Sequence, residues 1–225
     1  MIGVGEIAEH IAALQKELPE GVTLVAVSKT KPMEAILEAY EAGQRDFGEN
    51  YIQELCDKAD KLPKDIRWHA IGHVQSNKVK YIAPFVHLIH GVDSLKLLQE
   101  INKQAQKNER VIDCLLQIFI ATEESKFGLD ATELDALLKS ETFQHLQNIR
   151  IVGLMGMASN TENEAQIRSE FKGLRDLFLS MQKDYPDFQH LSMGMSGDYS
   201  IAIAEGSTMI RVGSLIFGTR QYSKP

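Results

Sequence analysis

Short apolar runs alternate with amphipathic segments along all 225 residues, and this alternation limits the folds open to the chain most strongly. The first run, VTLVAV at 22–27, is short and rich in β-branched residues, which is typical of a strand buried on both faces of a parallel sheet. Similar runs predict eight strands, at 22–27, 45–48, 67–72, 86–90, 111–120, 149–155, 189–193 and 209–212.

The segments between these runs have helical spacing. Apolar residues from Ile7 to Leu18 predict a helix before the first strand, ended by Pro19 and Gly21. Later helices are expected at about 33–42, 51–61, 76–82, 94–106, 132–139, 162–183 and 199–205, with a short one after the last strand. Eight such units favour a (β/α)8 TIM barrel with an extra N-terminal helix, and an open doubly wound sheet is the alternative. No linker interrupts the pattern, so residues 1–225 are expected to form a single domain.

Composition argues against several classes of partner. The chain carries 24 basic and 31 acidic residues, a formal charge of -7, which argues against nucleic acid as the main partner. No run approaches the roughly 18 apolar residues of a membrane helix, and the N-terminus lacks a secretory pattern. Cys56 and Cys114 are the two cysteines, which fits a reducing compartment. We therefore expect a cytoplasmic protein without membrane association.

In a barrel, functional residues lie where the strands end at their carboxyl side, and Lys29 follows the first predicted strand. A lysine in this place is usually a solvated loop residue. At a desolvated barrel mouth it can instead lose its proton and attack an aldehyde as a Schiff-base lysine, and Lys31 would be a cation that favours the neutral amine. The pattern by itself leaves both interpretations open.

Glycine and serine follow the last two predicted strands, at 194–197 and 213–214. Barrels often bind phosphate at these loops, because glycine lets the backbone N–H groups approach an anion. For either loop alone, a turn or a helix cap is the better explanation, and the two loops together on adjacent strands support a phosphate site equally well. Arg211, on the eighth strand, would either form a structural ion pair or donate to a pyridine nitrogen, as in sites for pyridoxal 5′-phosphate (PLP).

His69 and His73 are four residues apart, a spacing that suits a metal when it falls on a helix. Here the segment is predicted as strand and turn, and Ala70 stands where an HExxH motif has glutamate. The sequence also lacks the GxGxxG, P-loop and GxSxG motifs. We therefore expect no metal site, no dinucleotide site of these types and no serine nucleophile.

Seven further segments lie in order along nearly the whole chain. They are AVSKTKP at 26–32, FGENY at 47–51, HAIGHVQSNK at 69–78, KFG at 126–128, GLMGM at 153–157, LSMGMSGD at 191–198 and IRVGSLIFGTR at 210–220. Together they resemble the pyridoxal phosphate homeostasis protein family, the YggS/PROSC-like proteins. This resemblance implies a barrel similar to the N-terminal barrel of alanine racemase, with PLP as the cofactor.

The resemblance also implies roles for single residues. Lys29 would hold PLP as a Schiff base, and Arg211 would face the pyridine nitrogen. The phosphate would be bound by Ser196, Gly213 and Ser214. The pocket wall would include Asn50 and Met193. Accessory positions would be Lys31, His73 and Lys126.

The family is associated with vitamin B6 homeostasis and delivery of PLP, without an established catalytic reaction. The resemblance thus implies a monomeric carrier or regulator with PLP-dependent apoenzymes as its partners. An arginine partner leaves the pyridine nitrogen largely unprotonated and PLP a weaker electron sink, and a chain of one barrel would leave no room for a racemase's second domain. A small PLP-dependent amino-acid racemase is the alternative. A barrel enzyme for phosphorylated metabolites, without PLP, is a third hypothesis with less support.

Overall fold

Eight parallel strands close into a barrel in the computed structural model, which describes residues 5–123 and 127–218. The strands are β1 Thr23–Val27, β2 Asp46–Glu49, β3 Arg67–Ala70, β4 Leu88–Val92, β5 Ile112–Gln117, β6 Ile149–Met155, β7 His190–Met195 and β8 Met209–Val212. Each strand pairs with the next in sequence, and β8 pairs with β1. The predicted barrel is confirmed, and the open doubly wound sheet is excluded because the sheet has no free edge.

Helices surround the barrel. They are α1 Glu6–Glu17, α2 Met33–Glu41, α3 Ile52–Lys61, α4 Val79–Ile82, α5 Leu95–Lys107, α6 Ala131–Lys139, α7 Glu141–Gln144, α8 Glu164–Met181, α9 Tyr199–Ala204 and α10 Ser214–Phe217. The extra N-terminal helix is confirmed as α1, which buries Ile7, Ile11 and Leu14 and packs against α2 and α10. Across both described ranges, no helix has the length and apolarity to cross a membrane.

Alternation along the strands divides the buried residues into two groups. Outward-facing residues such as Leu24 and Phe47 join the helices in a large apolar core. A small apolar cluster lies apart from that core and consists of Val25, Leu88, Leu115, Val152, Met155 and Met209. The strands also bury polar side chains, at Asp46, Glu49, His69, His90, Gln117, Ser192 and Arg211. These polar residues distinguish the barrel from a purely apolar one and bear on its function.

Several element boundaries differ from those that the sequence predicts, among them the end of the fifth strand at Gln117 rather than at residue 120. The fourth strand runs to Val92 rather than ending at residue 90, since Gly91 and Val92 stay extended and buried. Ser140 ends the helix at 132–139 by capping a separate short helix, α7, through a bond from Phe143 N–H. The seventh strand continues two residues past 193, to Met195. The last difference changes which methionine reaches the functional end of the barrel.

Gly153 provides a test of the barrel geometry, because its φ of 154° and its surroundings both demand glycine. A Cβ there would lie 1.8 Å from the carbonyl oxygen of His190 on the neighbouring strand. Gly153→Ala is therefore expected to lower the free energy of unfolding by about 3 kcal/mol or more. Chemical denaturation followed by circular dichroism measures the effect.

Gly173→Ala is the matched control. Gly173 lies in α8, and a Cβ there would meet nothing within 4 Å. Alanine should raise the free energy of unfolding by up to about 1 kcal/mol, because it favours the helix over glycine. Equal unfolding free energies for the two variants would contradict the geometry described for the β6–β7 pair.

Candidate functional site

A cavity of about 350 Å³ opens at the carboxyl ends of the strands. It is lined by Val27, Lys29, Lys31, Asn50, Ile71, Met157, Met195, Ser196, Gly197, Arg211, Gly213, Ser214 and Gly218. Its volume falls in the range of small-molecule sites, about 300–1,000 Å³. Of the predicted site residues, all except Met193, His73 and Lys126 line this cavity. Loops after β1, β2, β7 and β8 thus meet at one place.

The three predicted residues that do not line the cavity are absent from its lining for different reasons. Met193 is fully buried in the apolar core, so its predicted place in the pocket wall is corrected. His73 lies outside the cavity lining, where its Nδ1 is 3.5 Å from Asp93 Oδ2 and its ring stacks on Phe127 at 5.1 Å between centroids. Lys126 lies outside the described residues.

Met195 takes the wall position predicted for Met193, because β7 carries an extra residue relative to β8. Ser192 pairs with Met209, but Met195 pairs with Arg211, so three steps on β7 match two on β8. Gly194 lies in this irregularity with a φ of 97°, which favours glycine over residues with a Cβ. A bulge of this kind shifts the in–out alternation, and strict alternation from the sequence could not reveal it.

We call residues 28–31 the Lys29 loop. A buried cluster of charged side chains holds this loop in place. Lys58 of α3 reaches it and donates from Nζ to the Ser28 carbonyl oxygen at 2.8 Å, to Glu49 Oε1 at 2.7 Å and to Glu54 Oε1 at 2.7 Å. Ser28 Oγ donates to Glu49 Oε1 at 2.6 Å. Thr30, at the unusual φ of 63°, donates its N–H to Glu54. The loop that presents Lys29 is thereby fixed on both sides of the lysine.

Glu49 is the most constrained member of this cluster, with a side chain that is 0% exposed. Burial raises its pKa above the ordinary value, while the Lys58 ammonium and the Ser28 hydroxyl act in the opposite direction. In the described part of the chain, Glu49 Oε2 is a buried oxygen without a hydrogen-bond partner. One signal of this cluster was present in the sequence, the Glu54–Lys58 spacing on a helix, but such pairs are usually exposed.

Lys31 also lines the cavity and lies in the same loop, two residues after Lys29. Its Nζ donates to the carbonyl oxygens of Phe217 and Gly218 at 2.9 and 3.0 Å, at the end of α10. Lysine at a helix C-terminus is favourable, because the last carbonyl groups have no partners within the helix. Lys31 therefore ties the loop after β1 to the helix after β8 and keeps a cation at the cavity wall.

The two glycine–serine loops lie side by side, as their positions after β7 and β8 predict. The Gly213 N–H donates to Ser196 Oγ at 3.3 Å and joins one loop to the other. A Cβ on Gly213 would come within 3.1 Å of the Val27 carbonyl oxygen, so only glycine passes easily there. Ser214 is the first residue of α10 and is exposed. Serine hydroxyls and backbone N–H groups of this kind are anion donors.

Arg211 enters the cavity from β8, and its side chain is almost fully buried. Burial lowers its pKa to about 10, which still leaves the guanidinium charged at neutral pH. Nη1 donates to Ser192 Oγ at 2.6 Å, and Nη2 donates to the Gly156 carbonyl oxygen at 3.2 Å. Both acceptors are neutral oxygens, so these contacts of Arg211 with the described residues are hydrogen bonds rather than the structural ion pair considered from the sequence.

A row of buried polar side chains leads from Arg211 towards the amino-terminal end of the barrel. Ser192 Oγ is 2.9 Å from His90 Nδ1, His90 Nε2 is 2.9 Å from His69 Nδ1, and His69 Nε2 is 3.0 Å from Asp46 Oδ1. We call these five residues the interior polar row: Asp46, His69, His90, Ser192 and Arg211. Sequence reasoning missed it, although histidines inside two apolar strands, WHA and LIH, were an available signal.

Asp46 anchors this row and also pairs with Arg67, whose Nε donates to Asp46 Oδ1 at 2.7 Å. Burial by itself raises the pKa of Asp46, but the hydrogen bonds from Arg67 and His69 hold that pKa well below its usual range. Within the described residues, one potential ligand atom each of Asp46, His69 and His87 lies within 4.8 Å of the other two, which is a possible metal-ligand geometry. Arg67 and His69 already use the Asp46 carboxylate, so we make no metal assignment.

Lys58→Met tests the support of the Lys29 loop. It leaves Glu49 buried without its cation, and loss of one partner of a buried pair should lower the free energy of unfolding by about 3–5 kcal/mol. Lys172→Met is the control, because Lys172 and Asp176 form an exposed pair on α8 that contributes at most about 0.5 kcal/mol. Denaturant titration of both variants measures the difference, and similar losses would contradict a structural role for Lys58.

Relatives of this chain are found over its full length. Residues 2–221 match the family model described as the alanine racemase N-terminal domain. A Vibrio alginolyticus pyridoxal phosphate homeostasis protein is 42% identical over 210 residues, covering 91% of this chain and 89% of the relative. The protein of that name from Escherichia coli K12 is 41% identical over an alignment of 238 residues, covering 98% of this chain and all of the relative.

Solved structures of similar proteins point to the same relationship as these sequence comparisons. PipY of Synechococcus elongatus PCC7942, determined with PLP bound, has a TM-score of 0.86 and 39% identity, and the match covers 94% of this chain and 100% of PipY. Alanine racemase from E. faecalis has a TM-score of 0.77 at 16% identity, with 97% of this chain matching 59% of the racemase. The racemase shares the fold of this barrel. The chain therefore belongs to the pyridoxal phosphate homeostasis protein family and has the fold of the alanine racemase N-terminal domain.

Proposed function

We propose that this protein binds PLP in the cavity at the carboxyl end of the barrel and makes it available in vitamin B6 homeostasis, without a dedicated catalytic reaction. One observation carries the proposal: Lys29, Arg211 and the two glycine–serine loops converge on a single cavity. The relatives' name and the PLP-bound PipY structure support the same cofactor. We include in this proposal that residues 1–225 form a single domain.

The groups around the cavity fit the three polar parts of PLP. PLP has an aldehyde, a phosphate dianion and a pyridine nitrogen, and when bound it supplies an electrophilic carbon for amines. Lys29 offers an amine, Ser196 and Ser214 offer hydroxyl donors beside glycine backbone, and Arg211 offers a guanidinium. A Cβ on Gly197 would meet nothing within 4 Å, so protein crowding does not explain that glycine. Close approach of an anion to the backbone is the role that we propose for it.

Each lining residue then has a proposed task. Lys29 holds the aldehyde end, and the adjacent Lys31 cation favours the neutral form of its amine. The phosphate is held by Ser196, Gly213 and Ser214. Arg211 donates to the pyridine nitrogen, and Met195 and Asn50 bound the space for the ring. Water is excluded mainly by Val27, Ile71 and Met157.

The cavity lining supports a holding role over a catalytic one. Apart from Lys29 and Lys31, the described residues that line it include none of the side chains that most often move protons in enzymes: no histidine, tyrosine, cysteine or carboxylate. Arg211 has only donors and stays cationic, so it does not protonate the pyridine nitrogen. An unprotonated ring withdraws electrons weakly, which disfavours racemisation. We therefore place the racemase alternative second.

The remaining parts of the proposal concern partners and compartment. We propose a monomer in the cytoplasm that passes PLP to PLP-dependent apoenzymes. The formal charge of -7 gives no reason to add nucleic acid as a partner. The open position of the cavity at the strand ends suits exchange of a cofactor with another protein, because barrel sites of this kind face outwards.

Borohydride reduction tests the attachment to Lys29. Wild-type protein incubated with PLP, reduced and digested should give a pyridoxyl group on the peptide that contains Lys29, as seen by mass spectrometry. Lys29→Ala should lose this adduct, whereas Lys172→Ala, at an exposed lysine of α8, should keep it. An adduct on another lysine of the wild type, or none, would refute the assignment.

Racemisation assays test the absence of a dedicated reaction. The PLP-loaded protein, incubated with single L-amino acids, is expected to form no D-isomer above the rate of free PLP, since the described lining has no histidine, tyrosine, cysteine or carboxylate to act beside its lysines. Chiral chromatography measures the product. Typical enzymes turn over at about 1–1,000 per second, and a rate in that range would establish the racemase alternative.

A further inference from the structure

The interior polar row has two ends whose hydrogen-bonding roles are fixed by chemistry. Arg211 has no acceptor, so Ser192 Oγ must accept from its Nη1 across 2.6 Å. Asp46 is a carboxylate with a lowered pKa, so it must accept, and His69 Nε2 must carry the proton between them. Only the two contacts in the middle, from His69 to His90 and from His90 to Ser192, have a direction still to be determined.

The neutral ring of His90 and the single proton of Ser192 determine the direction of the middle contacts. Burial lowers the pKa of His90 well below its ordinary value, so its ring is neutral, with one donor and one acceptor nitrogen. Among the described residues, the Ser192 hydroxyl forms hydrogen bonds with Arg211 Nη1, which can only donate, and with His90 Nδ1. The Ser192 proton therefore goes to His90 Nδ1, and His90 donates from Nε2–H to His69 Nδ1.

In this arrangement every contact along the row joins one donor to one acceptor. Donation runs one way, from Arg211 to Ser192, to His90, to His69 and finally to Asp46. The single proton of Ser192 is used towards His90, so its oxygen presents only lone pairs to the guanidinium. Aligned hydrogen bonds in a low-dielectric interior strengthen one another. A buried cation is thus connected, through three neutral side chains, to a carboxylate on the far side of the barrel.

We propose that Ser192 and His90 are positioning residues for Arg211: the one-way row of hydrogen bonds, anchored on Asp46 through His69, holds the guanidinium in its orientation towards the cofactor cavity. This inference rests on the proposed function, because it assigns the orientation of Arg211 to PLP binding. Neither residue lines the cavity, so both act through Arg211 rather than on the ligand itself.

The direction of the row can be observed without PLP. Nitrogen-15 NMR of the cofactor-free protein, labelled at histidine, distinguishes protonated from unprotonated ring nitrogens. We expect His90 and His69 each to carry the proton on Nε2 and to leave Nδ1 unprotonated. A proton on His90 Nδ1 would overturn the proposed direction, whatever the protein's affinity for PLP.

Removal of one hydroxyl tests the positioning. Ser192→Ala should weaken PLP binding about tenfold, because Arg211 loses a charge-assisted hydrogen bond. Ser207→Ala is the matched control: Ser207 is a buried serine beside the same two strands, and its Oγ bonds backbone carbonyl oxygens of Leu191, Met193 and Met209. Its PLP dissociation constant should stay within about twofold of wild type, even if stability falls. Equal weakening in both variants would contradict the proposal.

Two further variants separate positioning from a general structural effect. Ser192→Thr keeps the hydroxyl and should restore PLP affinity to within about threefold of wild type. The double variant Ser192→Ala/Arg211→Met should bind PLP no more weakly than Arg211→Met alone, because Ser192 acts only through Arg211. Additive losses in the double variant would refute this. Failure of borohydride to label Lys29 would refute the proposed function instead, while the NMR result would still decide the row.

Discussion

Pairing of β1 with β8 is the constraint on which the rest of this structure depends. It places Lys29, just past the first strand, beside loops that end the chain's last two strands. Gly213 passes so close to Val27 that a side chain there would meet its carbonyl oxygen, and Lys31 donates to the end of α10. No single strand–helix unit contains both an amine and the donors for an anion. Closure of the barrel is what brings them together.

Strand β2 supplies both buried carboxylates that support this site, one at each end. Asp46 begins the strand and anchors the interior polar row, while Glu49 ends it and receives Lys58 beneath the Lys29 loop. Burial raises the pKa of each carboxyl group, yet the outcomes differ. Asp46 accepts from Arg67 and His69, which keep its pKa low. Glu49 has one oxygen without a partner among the described residues, and its pKa is raised.

Local patterns in the sequence were sufficient to predict the barrel and the loops that line the cavity. Short apolar strands alternate with helices, and parallel strands bring their carboxyl ends to one face. The wall position of Met193 was implied by the family resemblance, and the bulge at Gly194 places Met195 there instead. Lys58 was missed because an i,i+4 pair on a helix does not reveal its burial. The row through His69 and His90 joins residues from five strands, which no local pattern relates.

The interior row also explains how the barrel accommodates a guanidinium in its interior. A guanidinium buried without compensation is costly, and a carboxylate placed directly against Arg211 would neutralise the cation that the cavity presents. The row separates the two charges by two histidines and a serine, all neutral in the proposed arrangement, and each contact along it joins a donor to an acceptor. Arg211 keeps its charge and its orientation, and the carboxylate stays at the opposite end of the barrel. Fixed donors of this kind suit a protein whose proposed task is to hold PLP rather than to transform it.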